Sequence, residues 1–263
     1  MRTATSHIGL MGLLLLALLV PVLPGCAPPP PEARPAAEER YRPDDRYRLA
    51  QSYLGNGSYL LAEQEIRQAL ALMPDDPRYL ELLALIYQAQ GRLQLAERAY
   101  QQALQKTEPP PSVLVNYSTL LLLLGRIDEA MTFIQRALRD PRYNRPALAY
   151  TNMGLAYFKK GSSPQAIEQF RIALEYQPNL PEAHYNLGLV YVRTGETDKA
   201  IRAFREAVRY RPSYVEAHAS LGAALLETGR QEEAKAAFER VIALAPDSDM
   251  ATASRKQLKH LTP

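Results

Sequence analysis

Glycines recur along this chain at a nearly constant interval of 34 residues. They stand at Gly57, Gly91, Gly125, Gly161, Gly195 and Gly229, and only the third interval is longer, at 36 residues. A fixed period of this size indicates one small supersecondary unit that is repeated and stacked, because a single unit cannot bury its apolar face alone. The period therefore restricts the chain to a repeat architecture.

Other positions keep the same register. An alanine follows each glycine by five residues, and a large apolar residue follows each alanine by four: Ile66, Tyr100, Ile134, Phe170, Phe204 and Phe238. Prolines recur twelve residues after four of the alanines, at Pro74, Pro178, Pro212 and Pro246. A left-handed glycine ends one helix, a small alanine lets a second helix approach it closely, and a proline ends that second helix. The pattern is similar to the tetratricopeptide repeat (TPR), which implies two helices per repeat.

The predicted fold class is an all-α TPR solenoid of six helix-turn-helix repeats with a C-terminal capping helix. We place the repeats in residues 43–247, at 43–76, 77–110, 111–146, 147–180, 181–214 and 215–247. The two extra residues of the third interval fall in the connection 140–146. Asp247, Ser248 and Asp249 can cap a last helix at 249–261, so that residues 248–263 cover the end of the solenoid.

The first 25 residues resemble a secretory signal peptide. Arg2 precedes the apolar stretch Ile8–Val20, which is too short to cross a bilayer core of about 30 Å. The sequence then reads Leu23-Pro24-Gly25-Cys26, which resembles a bacterial lipobox, and Cys26 is the only cysteine. We expect a diacylglyceryl group and an N-acyl chain on Cys26, and no other cofactor. A buried cysteine or an uncleaved membrane anchor remains the alternative.

Residues 26–42 are predicted to be a lipidated tether. Five prolines between positions 27 and 42 prevent a helix there, and an extended chain of this length reaches about 50 Å. The residue after the cysteine is Ala27 rather than an inner-membrane retention aspartate, which favours the outer membrane, with the TPR domain facing the periplasm. A proline-rich ligand for a partner domain is a second interpretation of the tether.

The sequence contains no signature of catalysis. There is no phosphate-binding glycine motif, and His184 and His218, which occupy the same repeat position, are expected to pack rather than to bind a metal ion. The net charge of +3 without a basic run disfavours nucleic acid as a partner. We therefore predict no catalytic residues, no metal site and no small-molecule substrate. A regulatory TPR arm of a glycosyltransferase is disfavoured because no segment is left for a catalytic domain.

Two sets of residues are candidates for binding a protein partner. Asn116, Asn152 and Asn186 recur at one repeat position, where an amide can hold the backbone of an extended peptide or can support the neighbouring hairpin. The second set is apolar and lies in repeat one, which has no preceding neighbour to cover it: Tyr47, Leu54, Tyr59 and Leu60. Five consecutive leucines at 120–124 also exceed what one buried helical stripe requires.

A lipobox, a short tether and six TPRs resemble the pilotins of the PilF/PilW/Tgl group, which are type IV pilus biogenesis lipoproteins. The local resemblance lies in Asn116-Tyr117, in Asp140-Pro141-x-Tyr143-x-x-Pro146 and in Asn152-x-Gly154. It implies an outer-membrane lipoprotein that binds secretin subunits and promotes their assembly, with the contact on repeat one. The alternative is a general TPR lipoprotein that scaffolds cell-wall hydrolases or an exopolysaccharide export complex.

Overall fold

The computed structural model describes residues 42–105 and 109–261. Within these ranges the chain forms thirteen α-helices and no strand. The helices are α1 Pro43–Gly55, α2 Tyr59–Leu72, α3 Pro77–Ala89, α4 Leu93–Leu104, α5 Pro111–Leu123, α6 Ile127–Arg139, α7 Pro146–Lys159, α8 Ser163–Tyr176, α9 Pro181–Arg193, α10 Thr197–Tyr210, α11 Val215–Glu227, α12 Gln231–Leu244 and α13 Asp249–Leu261. Helices α1 to α12 pack in six consecutive pairs, and each pair packs on the next.

The turn inside each pair depends on its glycine. The six periodic glycines have φ between 72° and 81°, a region in which a Cβ atom is strained. In the first turn the Ser58 N–H donates to the Tyr53 carbonyl (2.9 Å) and the Gly57 N–H to the Leu54 carbonyl (3.1 Å), which is the Schellman arrangement. The hydrogen bond that spans five residues, as from Ser58 to Tyr53, recurs in the other turns. It runs from Arg92 to Tyr87, Arg126 to Leu121, Ser162 to Tyr157, Glu196 to Tyr191 and Arg230 to Leu225. The left-handed backbone at each of these turns therefore explains why a glycine recurs there.

Small residues set the distance between the two helices of a pair. The six periodic alanines have no exposed area, and the large apolar residues four positions later are buried as well. In repeats four to six the large residue is a phenylalanine, whose ring lies against Gly154, Gly188 or Gly222 of the first helix. A Cβ atom on Gly188 would lie 2.5 Å from Cε1 of Phe204. The helices thus approach until a ring contacts bare backbone.

Prolines mark where one repeat gives way to the next. Helices α1, α3, α5, α7 and α9 each begin with a proline, whose fixed φ suits the first helical position. Helix α7 begins at Pro146, one residue before the repeat boundary that the sequence predicts. The connection from Asp140 to Arg145 has six residues, two more than the connections 177–180 and 211–214 that follow it along the chain.

Helix α13 packs against α11 and α12, as the first helix of a further repeat would. The Ser248 hydroxyl accepts a hydrogen bond from the Ala251 N–H (3.1 Å), and Ala251 and Ser254 are buried. The predicted TPR solenoid of six repeats with a capping helix is confirmed. The predicted signal peptide, Cys26 and the predicted tether up to residue 41 lie outside the described residues.

Candidate partner-binding surface

Repeat one leaves an apolar face uncovered on its second helix. We call the exposed apolar residues of α2 and of its C-cap, Met73, the α2 face: Tyr59, Leu60, Leu61, Leu72 and Met73, with Leu60 exposed by 79% and Leu72 by 60%. Leu61 and Leu72 are eleven residues apart, which is close to three helical turns, so they lie on one side of α2 about 16 Å apart. Leu60, one residue before Leu61, lies about 100° around the helix from them. The sequence predicted Tyr59 and Leu60 as binding residues and missed the other three.

A polar network fixes α2 to repeat two, and it is centred on Glu63, three residues after Leu60 and so on the same side of the helix. The Glu63 carboxylate accepts hydrogen bonds from Arg67 (2.9 Å), Gln90 (3.0 Å) and Arg92 (2.9 Å). These donors hold the pKa of Glu63 below its usual range, although partial burial opposes them. The Arg67 guanidinium also donates to the Tyr87 hydroxyl (2.6 Å). The α2 face is thus presented by a helix that is held in place.

Tyr47 and Leu54 lie behind the α2 face rather than on it. The Tyr47 ring packs on the Tyr79 ring of α3 with 5.3 Å between centroids, and Leu54 packs against the core of repeats one to three. Both residues are half-buried, because α1 contacts α3 directly. Repeat two therefore covers much of the area that the sequence analysis expected to be open.

The three periodic asparagines have different surroundings. Asn152 is buried and its amide nitrogen donates to Thr119 Oγ1 (2.7 Å) in repeat three. Asn116 is half-buried and donates to Glu81 Oε1 (2.6 Å), and Asn186 donates to the Glu182 carbonyl (2.9 Å) of its own helix. Asn152 and Asn116 thus link neighbouring repeats, which is the supporting role that the sequence analysis left open. We leave Asn152 out of the candidate surface.

Glu81 is a buried acid that the sequence analysis missed. Its carboxylate accepts hydrogen bonds from the Ser112 hydroxyl (2.9 Å) and from Asn116, both on α5. Burial raises the pKa of Glu81, and the two donors oppose that shift in part. The sequence does indicate that position 81 is buried, because the large or apolar residues Tyr47 and Val115 occupy the corresponding positions of the neighbouring repeats. The arrangement links α3 to α5 and leaves 8% of Glu81 exposed.

The leucine run at the end of α5 divides between core and surface. Leu120, Leu121 and Leu122 are buried, whereas Leu123 is 59% and Leu124 is 36% exposed. The expectation that part of this run faces outward is therefore confirmed.

The two periodic histidines form hydrogen bonds to the backbone of the connections that precede their helices. The Nε2 atoms of His184 and His218 lie 2.8 Å and 3.0 Å from the carbonyl oxygens of Pro178 and Pro212. Burial lowers the pKa of His218.

Within residues 42–105 and 109–261, no group of three or more His, Cys, Asp or Glu side chains is placed to hold a metal ion. In the same ranges no helix is both long enough and apolar enough to cross a membrane.

Comparison with protein families identifies the repeats. A model described as TPR repeat matches residues 154–195, and two models described as tetratricopeptide repeat match residues 47–112 with 185–249 and residues 87–149. A search of curated protein sequences gives no significant match.

Solved structures with the same fold include two pilus proteins. PilW, described as a widely conserved type IV pilus biogenesis factor, is 23% identical with a TM-score of 0.69, over 80% of this chain and 97% of that chain. PilF of Pseudomonas aeruginosa is 21% identical with a TM-score of 0.65, over 82% and 97%. The Cut9–Hcn1 assembly is 18% identical with a TM-score of 0.74, over 86% of this chain but 44% of that chain. At these identities the likeness shows the fold alone. The family models show that the chain belongs to the tetratricopeptide repeat family.

Proposed function

We propose that this protein is a pilotin, a lipid-anchored TPR scaffold that binds secretin subunits at the outer membrane during type IV pilus biogenesis. The observation that carries the proposal is the exposed apolar α2 face. The shared fold with PilW and PilF supports it, because the likeness extends over 97% of each of those chains. No catalytic group is required, since TPR proteins act mainly as protein-binding scaffolds.

The α2 face has the chemistry of a protein contact. Its four aliphatic side chains are exposed by 79%, 47%, 60% and 45% at Leu60, Leu61, Leu72 and Met73. Burying one such side chain contributes about 1.5–3 kcal/mol, less what the contact costs in lost freedom. A secretin segment that presents a complementary apolar stripe would bury several of them together.

The lipid on Cys26 would hold the captured subunit at the membrane. The proposed tether ends at Arg42, directly before α1, so repeat one is the part of the solenoid closest to the anchor along the chain. A tether with a reach of about 50 Å would keep the start of α1 within that distance of the bilayer, and α2 follows α1 directly along the chain. Confinement of this kind raises the effective concentration of bound subunits at the site of assembly.

The proposal is tested with secretin multimers in the membranes of the native host. The double variant Leu60→Glu with Leu61→Glu places two charges in the proposed contact and is expected to lower multimer yield at least tenfold. Leu60→Glu and Leu61→Glu are also measured singly against Val192→Glu, which is the matched control for one added charge because Val192 is 45% exposed on α9 of repeat five. Cys26→Ser tests the anchor separately. Normal multimer yield with the double variant, at wild-type helical content, would refute the contact.

A further inference from the structure

The connection that interrupts the 34-residue period carries a concentration of positive charge. Arg136, Arg139, Arg142 and Arg145 fall within ten residues at the end of α6 and in the connection to α7, and all four are exposed. Arg136 and Arg139 are three residues apart on α6, so they lie on the same face of that helix. The α2 face belongs to repeat one, so this is a different part of the solenoid.

A cavity of about 450 Å³ lies at the α6 end of the connection. Arg136, Arg139 and Arg142 line it together with Leu114, and Asp140 is the one carboxylate among the described residues of its lining. The Arg142 guanidinium donates to both Asp140 carboxylate oxygens (3.0 Å and 2.7 Å) and holds the pKa of Asp140 at about 2. Asp140 is therefore paired with Arg142, and the charges of Arg136 and Arg139 face the cavity.

A second cavity, of about 410 Å³, lies at the α7 end of the same connection. It is lined by Arg145 and by the largely apolar side chains of Leu148, Leu180 and Tyr176. The Tyr176 ring is stacked on Tyr150, with centroids 5.7 Å apart and planes 9° from parallel, yet Tyr176 remains 60% exposed. A supported and exposed ring is a platform for an apolar side chain. The two cavities thus offer cationic and apolar contacts at the two ends of one connection.

We propose that these two cavities bind an acidic peptide segment of a partner protein. A carboxylate of that segment pairs with Arg136 and Arg139, and an apolar residue of the same segment packs on Tyr176. Planar guanidinium groups donate two parallel hydrogen bonds to a carboxylate, which gives both strength and orientation. A phosphate ion or a lipid headgroup would use the arginines and leave the apolar cavity empty, so the mixed lining favours a peptide.

The test measures fluorescence anisotropy with a labelled peptide that contains two Glu-Glu-Leu units, and with a Lys-Lys-Leu peptide of equal length. The first should bind and the second should not. The variant Arg136→Glu with Arg139→Glu should weaken binding at least tenfold, since it replaces two donors by acceptors. Arg98→Glu with Arg202→Glu is the matched control, because both residues are exposed, lie on α4 and α10, and give the same change in net charge. That control should bind within twofold of the wild type.

Tyr176→Ala examines the apolar half separately. It should weaken binding of the leucine-containing peptide and leave an all-glutamate peptide of the same length unaffected. Equal weakening by the two arginine double variants would overturn the proposal, because it would show attraction to overall charge alone. Binding of inorganic phosphate, or of phosphatidylglycerol vesicles, at Arg136 and Arg139 without binding of the peptide would overturn it as well. Neither result depends on secretin, so failure here is distinguishable from failure of the α2 contact.

Discussion

Gly188→Ala tests the reason why small residues recur inside each hairpin. A Cβ atom at position 188 would lie 2.5 Å, 2.6 Å and 3.0 Å from three carbons of the Phe204 ring. Carbon atoms in contact are normally 3.5–4.0 Å apart. Phe204 is fully buried, and its ring also packs against Tyr185 with centroids 5.8 Å apart. The ring therefore has little room to retreat, and α9 must move away from α10.

Two effects of opposite sign determine the size of the change. Alanine is favoured over glycine within a helix by about 1 kcal/mol. Inserting a methyl group into a well-packed core costs about 1–3 kcal/mol, and here the required shift of about 1 Å places the cost at the upper end. We expect Gly188→Ala to lower the free energy of unfolding by about 1–2 kcal/mol.

Urea unfolding followed by circular dichroism measures this change. Gly55→Ala is the matched control, because Gly55 is also helical and nothing lies within 4 Å of the position of its added Cβ atom. It should leave stability unchanged or raise it slightly. In a Phe204→Leu background, Gly188→Ala should cost less than in the wild type, since the clashing ring is gone. A Gly188→Ala variant as stable as the wild type would refute the packing argument.

Three further predictions concern buried and paired polar groups. Asn152→Ala removes a buried donor to Thr119 and should lower the free energy of unfolding by about 1–3 kcal/mol in urea while leaving secretin binding unchanged. Because burial raises the pKa of Glu81, its contribution to wild-type stability should fall as pH rises from the usual glutamate pKa to the raised one, and Glu81→Gln should lack that fall in the same urea titration. The pKa of Asp140 is lowered to about 2, so its pairing with Arg142 stabilises the fold above the usual aspartate pKa and is lost between about pH 4 and 2. In acid titrations Asp140→Asn should remove that part of the stability loss, and an unchanged acid transition would contradict the pairing.

The repeat architecture could be predicted because each periodic residue has a local physical reason. Gly57 occupies a left-handed position that is strained for residues with a Cβ atom, and Ala62 lies where two helices meet. Both constraints act within one hairpin, so the sequence of a single repeat contains them. The start of α7 at Pro146 deviates by one residue from the predicted boundary, because a proline suits the first helical position better than the position before it.

The candidate surface could be predicted only in part. Leu60 was identified because repeat one has no preceding neighbour, and a further signal lies in Asp128, Asp198 and Glu232, which occupy the same position in other repeats. The burial of Glu81 was indicated by Tyr47 and Val115 at the corresponding positions, but its partners Ser112 and Asn116 belong to the next repeat and could not be assigned from one repeat alone. The repeat period does not specify how neighbouring repeats pack. It therefore does not show which side chains of one repeat are covered by the next.

The most direct test of the account is to purify the intact, lipidated protein from its native outer membrane and to identify the bound proteins by mass spectrometry. The account predicts secretin subunits, which are lost with Leu60→Glu and retained with Val192→Glu. Cell-wall hydrolases or polysaccharide-export proteins in place of secretin would contradict the pilotin assignment and would favour a general periplasmic scaffold.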